Sequence, residues 1–129
     1  MIAVVIFMPS SRVGPLQLTD EVVQSDTKVR GPSRHLGDVV RATATQGGPN
    51  RVIWVYHNDA LILACPGTAR CRSSDHSMTV EFTLNLLGEY VIVALASQSA
   101  IPAPKGTYDL DVAMLRDIAA PEIKPFSVH

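Results

Sequence analysis

Two cysteines are the first candidates for chemistry in this sequence. Cys65 and Cys71 are the only cysteines of the chain, and the five residues PGTAR separate them. A Pro-Gly pair favours a turn that brings its two ends together, within reach of a sulfur–sulfur bond. A paired, even number of cysteines is also typical of an oxidising compartment. The spacing therefore predicts a Cys65–Cys71 disulfide, with two free thiols as the alternative.

Redox catalysis and metal binding are rival interpretations of the same cysteines. A thioredoxin-like site needs two intervening residues at a helix N-terminus, a spacing that this loop does not have. A zinc site would have to use Cys65 and Cys71 with His57 and His76. Structural zinc sites usually separate their paired cysteines by ~2 to 4 residues, and His57 lies at the far end of a strand from the cysteine loop. We therefore expect neither a metal ion nor a cofactor.

The sequence offers little support for hydrolytic or acid–base catalysis. No G-x-S-x-G elbow occurs, although a nucleophilic serine in a hydrolase of that type requires one. Asp109 and Asp111 are two apart, so a helix points them to different faces, and both suit the positive end of its dipole. A small enzyme without a recognisable motif remains a further alternative. Its candidate residues are His57 and His76 with Asp59 and Asp75.

One expected strand carries aromatic side chains on a single face. Val52, Trp54 and Tyr56 share that face, and His57 follows them. Aromatic rings in such a row can form a platform for sugars or other small ligands, whereas a buried core tryptophan is the commoner case in a sandwich. A small-ligand or carbohydrate-binding module using Trp54 and Tyr56 is therefore the alternative function.

The elements that would position these residues are mostly strands. Residues 78–84, MTVEFTL, alternate apolar and polar side chains with the period of a half-buried strand. The apolar, β-branched run at 90–96 favours a central strand covered on both faces. Residues 37–45, GDVVRATAT, alternate more weakly and predict another strand.

A hairpin and one short helix complete the expected elements. Asn58 and Asp59 separate RVIWVYH from ALILAC and suit a two-residue turn, since both tolerate left-handed backbone. After the IPAPKG break, Thr107 can cap a helix over about 108–119 that Pro121 stops. Leu110, Met114 and Ile118 form the apolar face expected for that helix.

The two ends of the chain are more ambiguous. Residues 1–10, MIAVVIFMPS, lack the positive n-region and cleavage site of a signal peptide, so they indicate a strand. Residues 12–36 suit either edge strands or one short helix, and the tail 122–129 suits an edge strand or a free end. The apolar run at 2–7 can lie at a sheet edge, where unpaired backbone groups favour a homodimer.

Length, composition and strand count define the fold class. A chain of 129 residues with 47% hydrophobic side chains suits one domain, residues 1–129. Several short strands with frequent turns and one late helix predict a mainly β protein, an antiparallel β-sandwich, immunoglobulin-like or related, with a barrel as the alternative. A formal charge of -1 argues against nucleic-acid binding. No apolar run approaches the ~20 residues of a membrane-spanning helix, so we expect no membrane insertion.

Four segments occur in a characteristic order over residues 2–102: AVVIFM, HLGDVVRATAT, VIWVYHNDALILACPG and LGEYVIVALASQSAIP. Gly37-Asp38 begins one expected strand, and Gly88 to Tyr90 begin another. In this order the chain resembles the β-sandwich sensor-like domains of bacterial envelope proteins, which often follow a zinc-binding anti-sigma segment and a membrane helix, or a caspase-like domain. The resemblance implies a bacterial sandwich domain and no shared catalytic residues.

These observations favour a non-enzymatic bacterial domain that acts through contacts with a protein partner or a small ligand. If Cys65 and Cys71 are bonded, a periplasmic or extracellular location is favoured. In that case we expect the export signal to lie outside residues 1–129.

Overall fold

Eight strands and one helix make up the regular structure of residues 15–24 and 34–129, the parts of the chain that a computed structural model describes. In chain order they are β1 Gln17–Gln24, β2 Val39–Thr45, β3 Asn50–His57, β4 Ala60–Cys65, β5 Cys71–Ser73, β6 Ser77–Thr83, β7 Gly88–Ser97, α1 Tyr108–Arg116 and β8 Glu122–Val128.

The strands form two four-stranded sheets. Sheet 1 has the order β1-β2-β6-β5 and sheet 2 the order β4-β3-β7-β8, with every pairing antiparallel. The two sheets pack face to face around one apolar layer, as in other sandwiches. The predicted antiparallel β-sandwich with one short C-terminal helix is confirmed.

Local patterns predicted most of these strands. Alternation put Val80 and Phe82 of β6 in the core, and both are buried. The turn between β3 and β4 has Asn58 at φ 46° and Asp59 at φ 72°, the left-handed backbone of a two-residue hairpin loop. β7 lies inside sheet 2, between β3 and β8, as its apolar run predicted. The three-residue strand β5 was not predicted.

The core between the sheets comes from inward-facing residues of both sheets. Sheet 1 contributes Leu18, Val40, Ala42, Ala44, Met78, Val80 and Phe82, with Leu84 just beyond β6. Sheet 2 contributes Ile53, Val55, Leu63, Cys65, Tyr90, Ile92, Ala94 and Val128. Alternate residues of these strands face this layer, so the period of two in the sequence becomes one continuous core.

The other face of sheet 2 forms a second core beneath α1. Trp54 and Tyr56 of β3 pack there with Val112 and Leu115 of the helix. Residues from both faces of β3 and β7 are therefore buried, because sheet 1 covers one side and the helix the other.

The helix corrects one prediction. It starts after Thr107 as expected, although the Thr107 side chain makes no capping hydrogen bond, and it ends at Arg116, three residues before 119. The expected face is wrong at Leu110, which is 58% exposed, whereas Val112 and Leu115 face the sheet. Four-residue spacing alone did not orient so short a helix, because its position on sheet 2 selects the buried side.

A buried carboxyl group joins this helix to the sheet. Asp111 accepts hydrogen bonds from the Tyr56 hydroxyl at 2.6 Å and from the backbone N–H groups of Lys105 at 2.6 Å and Gly106 at 3.1 Å. A buried carboxyl group needs such donors to offset its lost hydration. Asp109, two residues earlier, is exposed, so the two acids do face different directions. Beyond any effect on the helix dipole, Asp111 holds the loop before α1.

Several predictions at the ends of the chain lie partly outside the described residues. The expected strand at 1–10, the apolar run at 2–7 and the segment 25–33 are not described. Within 12–36 the structure describes residues 15–24 and 34–36, and there the strand alternative holds, because Gln17–Gln24 form the edge strand β1. The tail forms β8, at the edge of sheet 2 next to β7.

Two different links join the sheets at their edges. The Cys65–Cys71 disulfide, predicted from spacing, ties the end of β4 in sheet 2 to the start of β5 in sheet 1, with 5.7 Å between the Cα atoms. At the opposite edges, Arg34 binds Asp20 of β1 at 2.7 Å and lies 5.6 Å from the ring centre of Phe126 in β8. One side of the sandwich is thus closed covalently and the other by a largely buried ion pair.

We expect that removing the disulfide will destabilise the fold. Replacing Cys65 and Cys71 with serine should lower the free energy of unfolding by about 2 kcal/mol, because the unfolded chain regains the entropy of a short loop. Denaturant unfolding of the variant and of the unreduced protein measures the difference. Reductant should bring the unchanged protein to the stability of the variant. Equal stability in all three samples would contradict this prediction.

The Tyr56–Asp111 contact predicts a loss of stability at alkaline pH. Burial, and then the hydrogen bond to Asp111, raise the pKa of Tyr56 above its ordinary value. The folded state therefore favours the neutral phenol. This contribution to stability is complete below the unfolded pKa of ~10 and falls as pH rises above it, by about 1.4 kcal/mol per pH unit.

Tyr56→Phe tests this assignment by unfolding at several pH values. At neutral pH the variant should be less stable by about 2 kcal/mol, because a buried carboxyl group loses a donor. Above pH ~10 its stability should fall less steeply than that of the unchanged protein, since phenylalanine does not ionise. Parallel curves for the two proteins would be inconsistent with a titrating Tyr56.

Candidate functional site

The aromatic side chains singled out in the sequence lie beneath the helix. Trp54 is 2% and Tyr56 0% exposed, and the Tyr56 ring meets Tyr108 edge-on, with 5.5 Å between centroids. His57, at the end of β3, bonds through Nε2 to the Leu87 carbonyl oxygen at 2.6 Å. With α1 in place, Trp54 and Tyr56 present no platform to a ligand, so binding through them stays a prediction that requires the helix to move.

The candidate zinc ligands do not form a metal site. Cys65 and Cys71 are bonded to each other, so neither sulfur is a free thiolate for zinc. His76 is exposed in the turn before β6, whereas His57 lies at the far end of β3. Within 15–24 and 34–129, no three His, Cys, Asp or Glu side chains gather as a metal-binding group.

The histidines and aspartates considered for an enzyme lie at two different turns, His57 with Asp59 at the turn between β3 and β4 and His76 with Asp75 at the turn before β6. Asp59 lies in the hairpin turn, where its carbonyl oxygen accepts the N–H of Tyr108 at 3.0 Å. The Asp75 carbonyl oxygen accepts a hydrogen bond from Arg51 at 3.0 Å. A different pair was missed: the buried Asp38 accepts the backbone N–H of His35 at 2.9 Å, which holds the turn before β2.

A cleft opens where the strands at one side of the sandwich have unequal lengths. β5 pairs with Met78, Thr79 and Val80 of β6, so on that side the rest of β6, up to Thr83, has no partner strand among the described residues. In sheet 2 the edge strand is β4, whose Ile62 and Leu63 line the same opening as Phe82 and Thr83 of β6. The two sheet edges therefore leave an opening that the disulfide closes at one end.

The edge cleft, as we call this opening, has a volume of about 210 Å³. Its lining combines a buried apolar floor, an exposed apolar rim and a few polar groups. It is lined by Ile62, Leu63, Arg70, Phe82, Thr83, Asn85, Leu86 and Tyr90.

The floor of the edge cleft is part of the core. Leu63, Phe82 and Tyr90 are 9%, 4% and 1% exposed. The Tyr90 hydroxyl also donates to the Leu86 carbonyl oxygen at 3.1 Å and accepts the Leu86 N–H at 3.2 Å. This double contact fixes the loop that carries Leu86 to the rigid floor.

The rim exposes apolar side chains that the core does not use. Ile62 is 47% and Leu86 51% exposed. Between β3 and β4 the register shifts so that Val55 pairs with Leu63 and Tyr56 with Leu61, which leaves Ile62 as the extra residue of a β-bulge. A bulge on an edge strand re-aims its side chain, and here Ile62 contributes to the cleft.

Larger hollows occur on the outer face of sheet 1, but they are polar. Two of them, of about 520 and 560 Å³, share Arg72, Thr79 and Glu81 in their linings. Arg41 crosses this face and pairs with Glu81 at 2.8 Å, as expected for charges on a solvated sheet surface. The 520 Å³ hollow also shares Arg70, Phe82 and Thr83 with the edge cleft, so it continues the cleft outwards.

Sequence reasoning placed Phe82 in the core but missed the cleft and its rim. Ile62 lies in an uninterrupted apolar run, ALILAC, where no alternation reveals which side chain faces outwards. The one available signal was the apolar pair Leu86-Leu87 in the turn just before Gly88. Apolar residues in a turn do not belong to the buried face of a strand, so they can form an exposed apolar patch.

Comparison of the chain with protein-family models, curated proteins and solved structures gave no match. In the part of the chain that the structure describes, no helix has the length and apolar character needed to cross a membrane. The geometry of the described residues is therefore the basis for a functional proposal.

Proposed function

We propose that this domain is a non-enzymatic protein-binding module that receives an extended segment of a partner protein in the edge cleft. The partner segment would lie beside Thr83 as an additional strand of sheet 1 and place one apolar side chain in the cleft. The observation that carries the proposal is the start of β5 at Cys71, opposite Val80, because it leaves the rest of β6 as a free strand edge beside an apolar pocket.

The backbone of β6 supplies the first part of the recognition. Leu84 donates its N–H to Asp38 at 2.8 Å, on the β2 side. Backbone groups of successive strand residues point to opposite sides, so the N–H and C=O of Thr83 face the open side. A strand edge with such groups is a template for another extended chain, the mode of binding known as β-augmentation.

The dimensions of the edge cleft supply the second part. Its volume of about 210 Å³ is below the ~300 to 1,000 Å³ of typical small-molecule sites. It suits a single apolar side chain against Leu63, Phe82 and Tyr90. Ile62 and Leu86 would then lose their exposure to water, which favours binding by about 25 cal/mol for each Å² of apolar surface buried.

The proposal extends to the location of the domain. A disulfide between the sheets favours an oxidising compartment, and the order of strands resembles sensor-like domains of the bacterial envelope. We propose that the module works in the periplasm or outside the cell. A second copy of the chain is one source of an extended segment, and the homodimer expected from residues 2–7 would use such an edge.

A displayed library of random 12-residue peptides tests the proposed function. The unreduced full chain should enrich peptides that bind one to one. Ile62→Glu with Leu86→Glu should weaken their binding by roughly tenfold or more, because a carboxylate is unfavourable in an apolar cleft. Leu110→Glu is the matched control, since Leu110 is equally apolar and 58% exposed but lies on α1. That control should bind as the unchanged protein does.

Hydrogen exchange of the bound and free protein completes the test. A peptide that adds a strand should slow exchange of the Thr83 amide, which would gain a backbone acceptor. No enriched peptide, binding that both glutamate variants leave unchanged, or binding without protection at Thr83 would each refute strand addition at this cleft. Unfolding midpoints of the variants should match, since all three substituted side chains are exposed.

A further inference from the structure

We infer that the partner segment is acidic: the edge cleft selects extended peptides that combine an apolar side chain with Asp or Glu. This inference rests on the proposed strand addition and adds the chemistry of the partner. It follows from two arginines, Arg70 and Arg72, that flank Cys71, the first residue of β5, at the open side of β6.

The two arginines have no counter-charge in the described structure. Among residues 15–24 and 34–129, neither guanidinium takes part in a salt bridge, and both side chains are exposed. The acid that shares their hollow, Glu81, is held by Arg41 through hydrogen bonds of 2.8 and 3.0 Å. The open edge of β6 therefore has a local positive charge, although the whole chain has a formal charge of -1.

The positions of the arginines match the direction of an added strand. A segment beside Thr83 would continue the line of β5 and reach Arg70, which lines both the edge cleft and the adjoining 520 Å³ hollow. Arg72 lies opposite Thr79 on the same edge. Alternate side chains of a strand face opposite sides, so one apolar residue can enter the cleft while its neighbours point towards the two guanidinium groups.

The loop that carries Arg70 is anchored before any partner binds. The Arg70 N–H donates to Thr68 Oγ1 at 3.2 Å, and the Cys71 N–H donates to the Thr68 carbonyl oxygen at 3.3 Å. The disulfide fixes the loop at both of its ends. Less conformational entropy is then lost when a carboxylate binds, which favours affinity.

The same random-peptide library, read for charge, tests this inference. Enriched peptides should contain Asp or Glu beside an apolar residue. Arg70→Gln with Arg72→Gln should weaken their binding roughly five- to tenfold and reduce its sensitivity to salt. Arg116→Gln with Lys124→Gln is the charge-matched control, because both of those side chains are exposed away from the cleft, and it should leave binding unchanged.

The possible failures are distinguishable. Neutral or basic peptides that respond to Ile62→Glu with Leu86→Glu but not to the arginine variant would overturn the acidic preference and leave the proposed function intact. Equal losses in the arginine variant and its charge-matched control would also overturn it, since the effect would then reflect net charge. Absence of any cleft-dependent peptide would refute the proposed function and this inference together.

Discussion

The two-sided burial of strands β3 and β7 is the constraint on which the rest of the structure depends. Both strands have apolar side chains on both faces, so sheet 2 needs a cover on each side. Sheet 1 covers one face and the nine-residue helix α1 the other. The helix brings Asp111 to the Tyr56 hydroxyl. The hydrogen bond between them gives a partner to two polar groups that are buried away from water. The helix therefore lies where it covers the outer apolar face of sheet 2.

The edges of the two sheets are linked differently on the two sides of the sandwich. A disulfide links β4 to β5, and Arg34 joins β1 to β8 through Asp20 and Phe126. The edge cleft lies beside the disulfide, where β5 is too short to cover the whole of β6. Free edges of this kind favour association with other chains, and natural proteins usually shorten, charge or cover them. The proposed strand addition would use an edge that combines a free backbone, an apolar pocket and two arginines.

The edge cleft joins rigid and adaptable parts. Phe82, Leu63 and Tyr90 belong to the packed core, and the Tyr90 hydroxyl holds the Leu86 backbone at its rim. Ile62 and Leu86 themselves are exposed, so their side chains are less constrained by packing than the floor. In the proposed binding mode, such an arrangement would cost little reorganisation, because the floor of the cleft is already ordered in the packed core.

The sequence by itself determined the elements whose signals are local. Alternation at 78–84 predicted the buried face of β6, Asn58-Asp59 predicted the hairpin turn, and the cysteine spacing predicted the disulfide, because each depends on side chains a few residues apart. Only the tertiary structure decided which face of the helix is buried, that Trp54 lies beneath it, and that β5 begins only opposite Val80, which leaves a cleft beside Phe82. Those outcomes depend on contacts between distant parts of the chain, because the apolar surface of one sheet determines which side chains of another element are buried. The local hydrophobic periodicity of the sequence does not contain that information.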